Sequence, residues 1–171
     1  MQRYFLLPDL GTRPVIQVAL VCSILGLAAG AQVTAMDVSG TRLRRVQENL
    51  SRTNLTAEIV RADALDWTPD APFDAILLDA PCSATGTIRR HPDLPFAKAG
   101  LDMSGLFDLQ ERLIDRALDM LAPGGRLVYC TCSLLAREGE RQAVAALARH
   151  PGLRAVPPSN VAGIERDWID E

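Results

Sequence analysis

The sequence predicts an α/β domain built on a mostly parallel sheet. Two observations carry that expectation. Short apolar strands alternate with amphipathic helices from Val33 onward. The 171 residues, 48% hydrophobic and 23% charged, are enough for one domain with its own core and too apolar for a disordered chain. Eleven Pro and twelve Gly are ordinary counts, and four Cys do not make a disulfide scaffold. Aromatics are only 5%, so the core must come from Leu, Val, Ile and Ala. A net charge of −3 excludes a globally basic nucleic-acid binder but not a local basic patch. Arg outnumbers Lys 17 to 1, a composition bias rather than a chemical signal.

The first apolar run, Val15 to Ala31, carries no charge and follows Arg3 and Arg13. A buried strand and helix is the expected reading. An export signal cleaved after the small residues Ala29 and Ala31 is the alternative. Gln17, Ser23, Gly26 and Gly30, in a run at the lower length limit, argue against a membrane helix. Val33–Asp37 reads as a strand, and Ser39 as the N-cap of a helix with Leu43, Val46 and Leu50 on one face and Arg42, Arg44, Arg45 and Arg52 on the others. Strands follow at Glu58–Val60 and Asp74–Asp79. From Ala80 to about Gly100 the chain is rich in Pro, Gly, Ser and Thr, a long loop of the kind that is more often functional than idle. A helix is expected from about Ser104 to Leu121, stopped by Pro123-Gly124-Gly125. Arg126–Cys132 forms the next strand and Arg137–Arg149 a last helix, before an irregular tail with Pro157-Pro158.

Strands separated by helices give right-handed crossovers and a Rossmann-like sheet. In such a sheet ligands bind beyond the carboxyl ends of the strands, so residues scattered along the chain share one rim. Those residues are Asp37, Asp63, Asp79 with Pro81-Cys82, and Cys132. Asp37 suits acceptance of ribose hydroxyls, and equally suits a cap of the following helix. Asp63 suits an adenine amine, though an isolated loop Asp is weak evidence. A carboxylate at the end of an apolar strand, such as Asp79, needs a partner to stay charged, which points beyond a structural role.

Cys130-Thr-Cys132 has neither zinc spacing nor a second Cys or His pair nearby, so no metal is expected. Cys22 and Cys130 read as buried filler. Cys132, where its strand emerges, suits a nucleophile if its pKa is lowered, with Cys82 at the neighbouring rim position.

Leu78-Asp-Ala-Pro-Cys-Ser-Ala-Thr-Gly-Thr-Ile-Arg-Arg-His-Pro-Asp93 resembles the fourth motif of the RNA 5-methylcytosine methyltransferases, and more narrowly the bacterial 16S ribosomal RNA enzymes of the RsmB/Sun group. A second match is Leu109-Gln110 with Leu121-Ala-Pro-Gly-Gly-Arg-Leu-Val-Tyr-Cys-Thr-Cys-Ser-Leu134 and Glu138; together the likeness spans roughly Gly30 to Glu140. The resemblance implies an S-adenosylmethionine-dependent methyltransferase fold acting on RNA in the cytoplasm, with no membrane or metal and no obligate protein partner. It places on Cys132 the attack on cytosine C6, and on Cys82 the release of the methylated product. It implies that Asp79 touches the cofactor's methionine end and the cytosine edge, and that Asp37 and Asp63 bind ribose and adenine. Arg89, Arg90 and His91 become RNA contacts, with a solvated turn the alternative.

The chain departs from that pattern at its start. A glycine-rich cofactor loop belongs about 20 residues before the ribose acid, where Pro14–Cys22 has neither glycine nor lysine. Residues 1–29 are therefore expected to be an atypical segment, its first 26 or so residues derived from a shifted frame or misplaced start, and 30–171 a partial catalytic domain incomplete at both ends. Low stability follows. Three other functions compete: an impaired remnant with at most weak RNA binding, a DNA cytosine methyltransferase attacking through Cys82, and a secreted protein.

Overall fold

The computed structural model describes residues 14–17, 30–97 and 100–157. Its strands are β1 (Pro14–Gln17), β2 (Gln32–Met36), β3 (Glu58–Val60), β4 (Phe73–Asp79) and β5 (Leu121–Cys130). Its helices are α1 (Gly40–Thr53), α2 (Leu94–Ala97), α3 (Met103–Asp119) and α4 (Glu140–Arg149), with a 3-10 turn at Thr85–Thr87. The strands form one sheet in the order β3-β2-β1-β4-β5, every pair parallel. The chain winds outward through β1, β2 and β3, then crosses to β4 and β5. The order reverses between β1 and β4, the place where open sheets of this kind open a crevice.

Strands β2 and β4 are mostly apolar and buried because helices cover both sheet faces. On one face Val33, Ala31 and Ala75 cluster, and Ala35 packs under Val46 and Leu50 of α1. On the other, Ile76 and Leu78 meet Leu113, Ile114 and Ala117 of α3 and Ala146 of α4. Burying a side chain such as Ile76 stabilises the fold by about 1.5–3 kcal/mol. The helix starts follow the expected chemistry. Ser39 caps α1 by accepting the Arg42 N–H at 3.3 Å, and Asp102 caps α3 by accepting the Gly105 N–H at 3.0 Å.

The structure corrects the C-terminal boundaries. Helix α3 stops at Asp119, and β5 begins at Leu121 instead of Arg126. Pro123-Gly124-Gly125 is not a turn between elements but a bulge within β5. Leu121 lies opposite Phe73 and Arg126 opposite Ala75, so the intervening residues leave the ladder. Pro123 has no N–H to donate to that ladder. Gly124, at φ +79°, supplies the left-handed backbone the detour needs. The strand ends at Cys130, so Cys132 stands beyond it rather than in it. Helix α4 starts at Glu140, later than Arg137. The long loop after β4 holds the 3-10 turn and α2.

Of the apolar run Val15–Ala31, the first residues lie in β1, the central strand, and residues 18–29 lie outside the described residues. No helix among the described residues is long and apolar enough to cross a membrane.

Candidate active site

Because all strands are parallel, their carboxyl ends share one edge. Asp79 sits opposite Cys130 in the β4–β5 register, and the Asp37 N–H bonds the Val60 carbonyl at 3.2 Å. The three acids and the thiols therefore meet on one rim, as the topology requires.

Cys82 and Cys132 come together there, their Sγ atoms 3.3 Å apart. Both are half-buried. The Cys82 loop folds against the segment after β5 through several bonds. The Gly86 N–H donates to the Cys132 carbonyl at 2.9 Å, and the Leu134 N–H to Thr85 Oγ1 at 2.8 Å. A side chain at position 86 would place its Cβ 2.7 Å from that carbonyl oxygen, so glycine permits the approach.

The electrostatics keep Cys132 a resting thiol. Burial first, then the hydrogen bond and charge of Cys82 and the charge of Asp79, push it up to about 11. A lowered value, which the sequence attaches to a nucleophile, is not what the site provides. Asp79 is exposed at the tip of β4 rather than deep in the sheet, yet the protein around it raises its pKa, against a smaller opposing effect of the Cys130 thiol. Cys130 is half-buried rather than fully buried, its Sγ 3.5 Å from the Leu78 carbonyl and 3.9 Å from Asp79 Oδ1.

Asp37 is held by α1. Arg42 grips it in a fork, Nε to Oδ2 and Nη2 to Oδ1 each at 2.6 Å, and the Ser39 N–H reaches Oδ1 at 2.7 Å. It therefore braces the helix start, one of its two expected roles, while one lone pair of Oδ2 stays clear of these three bonds. Asp63 is exposed and accepts the Leu65 N–H at 2.9 Å, fixing its own turn. Arg89, Arg90 and His91 are exposed on the turn after the 3-10 segment, beyond the cysteines.

Sequence reasoning assigned no role to a buried polar group behind the rim. Glu138, 0% exposed, receives the Ser83 N–H at 2.8 Å, the Gln110 amide at 3.0 Å, the Ser133 hydroxyl at 2.5 Å and the Ser83 hydroxyl. Burial opposes its charge, but the hydroxyls of Ser133 and Ser83, the Ser83 N–H and Gln110 outweigh that and hold its carboxyl below the usual range. Gln110, also 0% exposed, donates in addition to the Pro81 carbonyl at 2.8 Å. One signal pointed to Gln110: it lies four residues after Leu106 and three before Leu113, on the apolar face of its helix. Glu138 was carried only by the motif match, since by itself an acid near a helix start reads as a solvated charge.

The strand order, the crossovers on both sheet faces and the rim define the Rossmann-like methyltransferase fold. NSun6 from Pyrococcus horikoshii, solved with the S-adenosylmethionine analogue SFG, superposes with a TM-score of 0.70 at 28% identity, over 80% of this chain and 37% of that one. A methyltransferase homologue from the same organism gives 0.65 at 32%, over 81% and 45%. Residues 11–166 match the family described as 16S rRNA methyltransferase RsmB/F, a wider span than the motifs alone cover, and the chain belongs to that family. It is 46% identical over 136 residues to ribosomal RNA small subunit methyltransferase B of Vibrio cholerae, and 44% over 149 to that of Pseudomonas putida. These matches take in 78% and 85% of this chain but 31% and 34% of the relatives, so it spans about a third of their length.

Proposed function

We propose that the chain transfers a methyl group from S-adenosylmethionine to C5 of a cytosine in RNA, with 16S ribosomal RNA the expected substrate. The observation that carries this reading is the 3.3 Å pairing of Cys82 and Cys132 beside Asp79. A single nucleophile explains one sulfur at a rim; two in contact suit a reaction that both makes and breaks a carbon–sulfur bond.

The acceptors on the rim fit the cofactor chemically. Asp37 would take ribose hydroxyls, Asp63 the adenine amine and Asp79 the methionine ammonium. When bound, S-adenosylmethionine supplies an electrophilic methyl at the rim. Residues 1–29, of which Pro14–Gln17 form β1, are then the atypical segment, and 30–171 part of the catalytic domain.

The residues of the chain divide the remaining work. Cys132 loses its proton and its sulfur adds to C6 of an unstacked cytosine, leaving C5 electron-rich. Asp79, its pKa already raised, is suited to share a proton with ring N3 as negative charge develops there. After C5 is methylated, a base such as water takes its proton, that C–H electron pair restores the C5–C6 double bond, and the C6–S pair returns to the Cys132 sulfur. Cys82, in contact with that sulfur, serves this release. Arg89, Arg90 and His91 would meet RNA phosphates. A ribosomal RNA substrate places the reaction in the cytoplasm.

The test is incubation with S-adenosylmethionine and a 16S ribosomal RNA transcript, followed by nucleoside mass spectrometry. The reading expects 5-methylcytidine. A folded chain that yields none, or that methylates another atom, overturns it.

A further inference from the structure

One carboxylate holds both cysteine segments. Glu138 Oε1 accepts the Ser83 N–H and the Gln110 amide, and Oε2 the hydroxyls of Ser83 and Ser133. Ser83 directly follows Cys82, and Ser133 directly follows Cys132. Gln110 also grips the Pro81 carbonyl, so the backbone is tied on both sides of Cys82. The carbonyl of Glu138 itself accepts the Tyr129 hydroxyl at 2.7 Å, anchoring it to β5.

A buried carboxylate costs desolvation, and only donors filling its lone pairs make it tolerable. Here four donors do so. An amide would serve less well. The Ser83 and Ser133 hydroxyls both donate to Oε2, so an NH2 group in its place faces two donors and takes away their acceptor.

We infer that Glu138, oriented by Gln110, is the positioning residue that sets the separation of the Cys82 and Cys132 sulfurs. This rests on the reading of those thiols as the attacking and releasing groups. Two loops that share no secondary structure are joined at Ser83 and Ser133, one step from each sulfur. Without the clamp each thiol keeps its chemistry but loses its register to the other.

The experiment reads the geometry without requiring turnover. Diamide takes the hydrogens of two neighbouring thiols to become its hydrazine, leaving a disulfide, and peptide mapping follows the Cys82–Cys132 link in the intact chain. Ser133→Ala and Glu138→Gln, checked for retained secondary structure by circular dichroism, should each slow that link about tenfold, the loss of one charge-assisted hydrogen bond. Ile76→Val, which weakens the core away from the rim, should leave the rate of the folded chain unchanged. In methylation assays the clamp variants should lower kcat with KM for RNA kept. Unchanged disulfide rates in Ser133→Ala overturn the clamp, and that variant decides alone if Glu138→Gln does not fold. A native chain that forms the link promptly but methylates nothing overturns the enzymatic reading and leaves the clamp standing.

Discussion

Cys82 and Cys132, 50 positions apart in the sequence, place their sulfurs 3.3 Å from each other at the carboxyl edge of the sheet. Cys132 is pushed up to about 11 by burial, by Cys82 and by Asp79. Thiolate reacts and thiol does not. Alkylation of Cys132 should therefore be slow at neutral pH and climb about tenfold per pH unit until it levels near that value. Cys82→Ala removes the contact and lowers the Cys132 pKa, so the levelling should move to lower pH. Iodoacetamide labelling of Cys132 against pH, read by mass spectrometry, checks both statements.

Gly86 lets the Cys82 loop touch the segment after β5. Its Cβ, if present, would stand 2.7 Å from the Cys132 carbonyl oxygen. Gly86→Ala should cost about 1–3 kcal/mol of stability through overpacking. If Cys132 attacks cytosine, the change should also displace its sulfur and depress methyl transfer more than it weakens RNA binding. Urea midpoints and steady-state kinetics separate the two effects.

Arg42 and the Ser39 N–H already occupy most of the Asp37 carboxylate. If Asp37 also receives ribose hydroxyls, Asp37→Ala should weaken S-adenosylmethionine binding by about tenfold or more, the scale of a hydrogen bond to a charged group. Arg42→Ala frees acceptor positions and should leave binding unchanged or tighter, at a cost of no more than about 1 kcal/mol of stability for a surface pair. Titration calorimetry of both variants measures this.

The Glu138 carboxyl is held below its usual range. A carboxyl with a depressed folded pKa contributes stability above its unfolded value, about 4.3, and loses it as pH falls through the folded value. The native chain should thus lose stability as the pH drops below about 4. Glu138→Gln should be less stable at neutral pH and show a shallower fall over the same acid window. Urea midpoints collected against pH provide the comparison.

Much of the architecture was legible because burial on both sheet faces forces apolar strands, as in Phe73–Asp79, and because Leu43, Val46 and Leu50 repeat at helical spacing. From parallel strands the rim followed by topology alone, which brought Asp37, Asp79 and the cysteines to one edge. Pro123-Gly124-Gly125 misled, because the residues that make a turn also make a bulge. Cys132 escaped the strand period for a related reason: the ladder ended at Cys130, where Asp79 ends its partner strand. The role of Glu138 stayed hidden because it comes from donors on two distant loops. A single residue type near a helix start carries no record of what will surround it.

The central claim is that the Cys132 sulfur bonds to cytosine while Cys82 serves release. RNA carrying 5-fluorocytosine blocks the final elimination, because fluorine cannot leave C5 as a proton does, so the enzyme stays attached to its methylated base. The account predicts an S-adenosylmethionine-dependent covalent complex, mapped by peptide sequencing to position 132, abolished by Cys132→Ala and retained in Cys82→Ala. A complex that survives Cys132→Ala and disappears only with Cys82→Ala would contradict it.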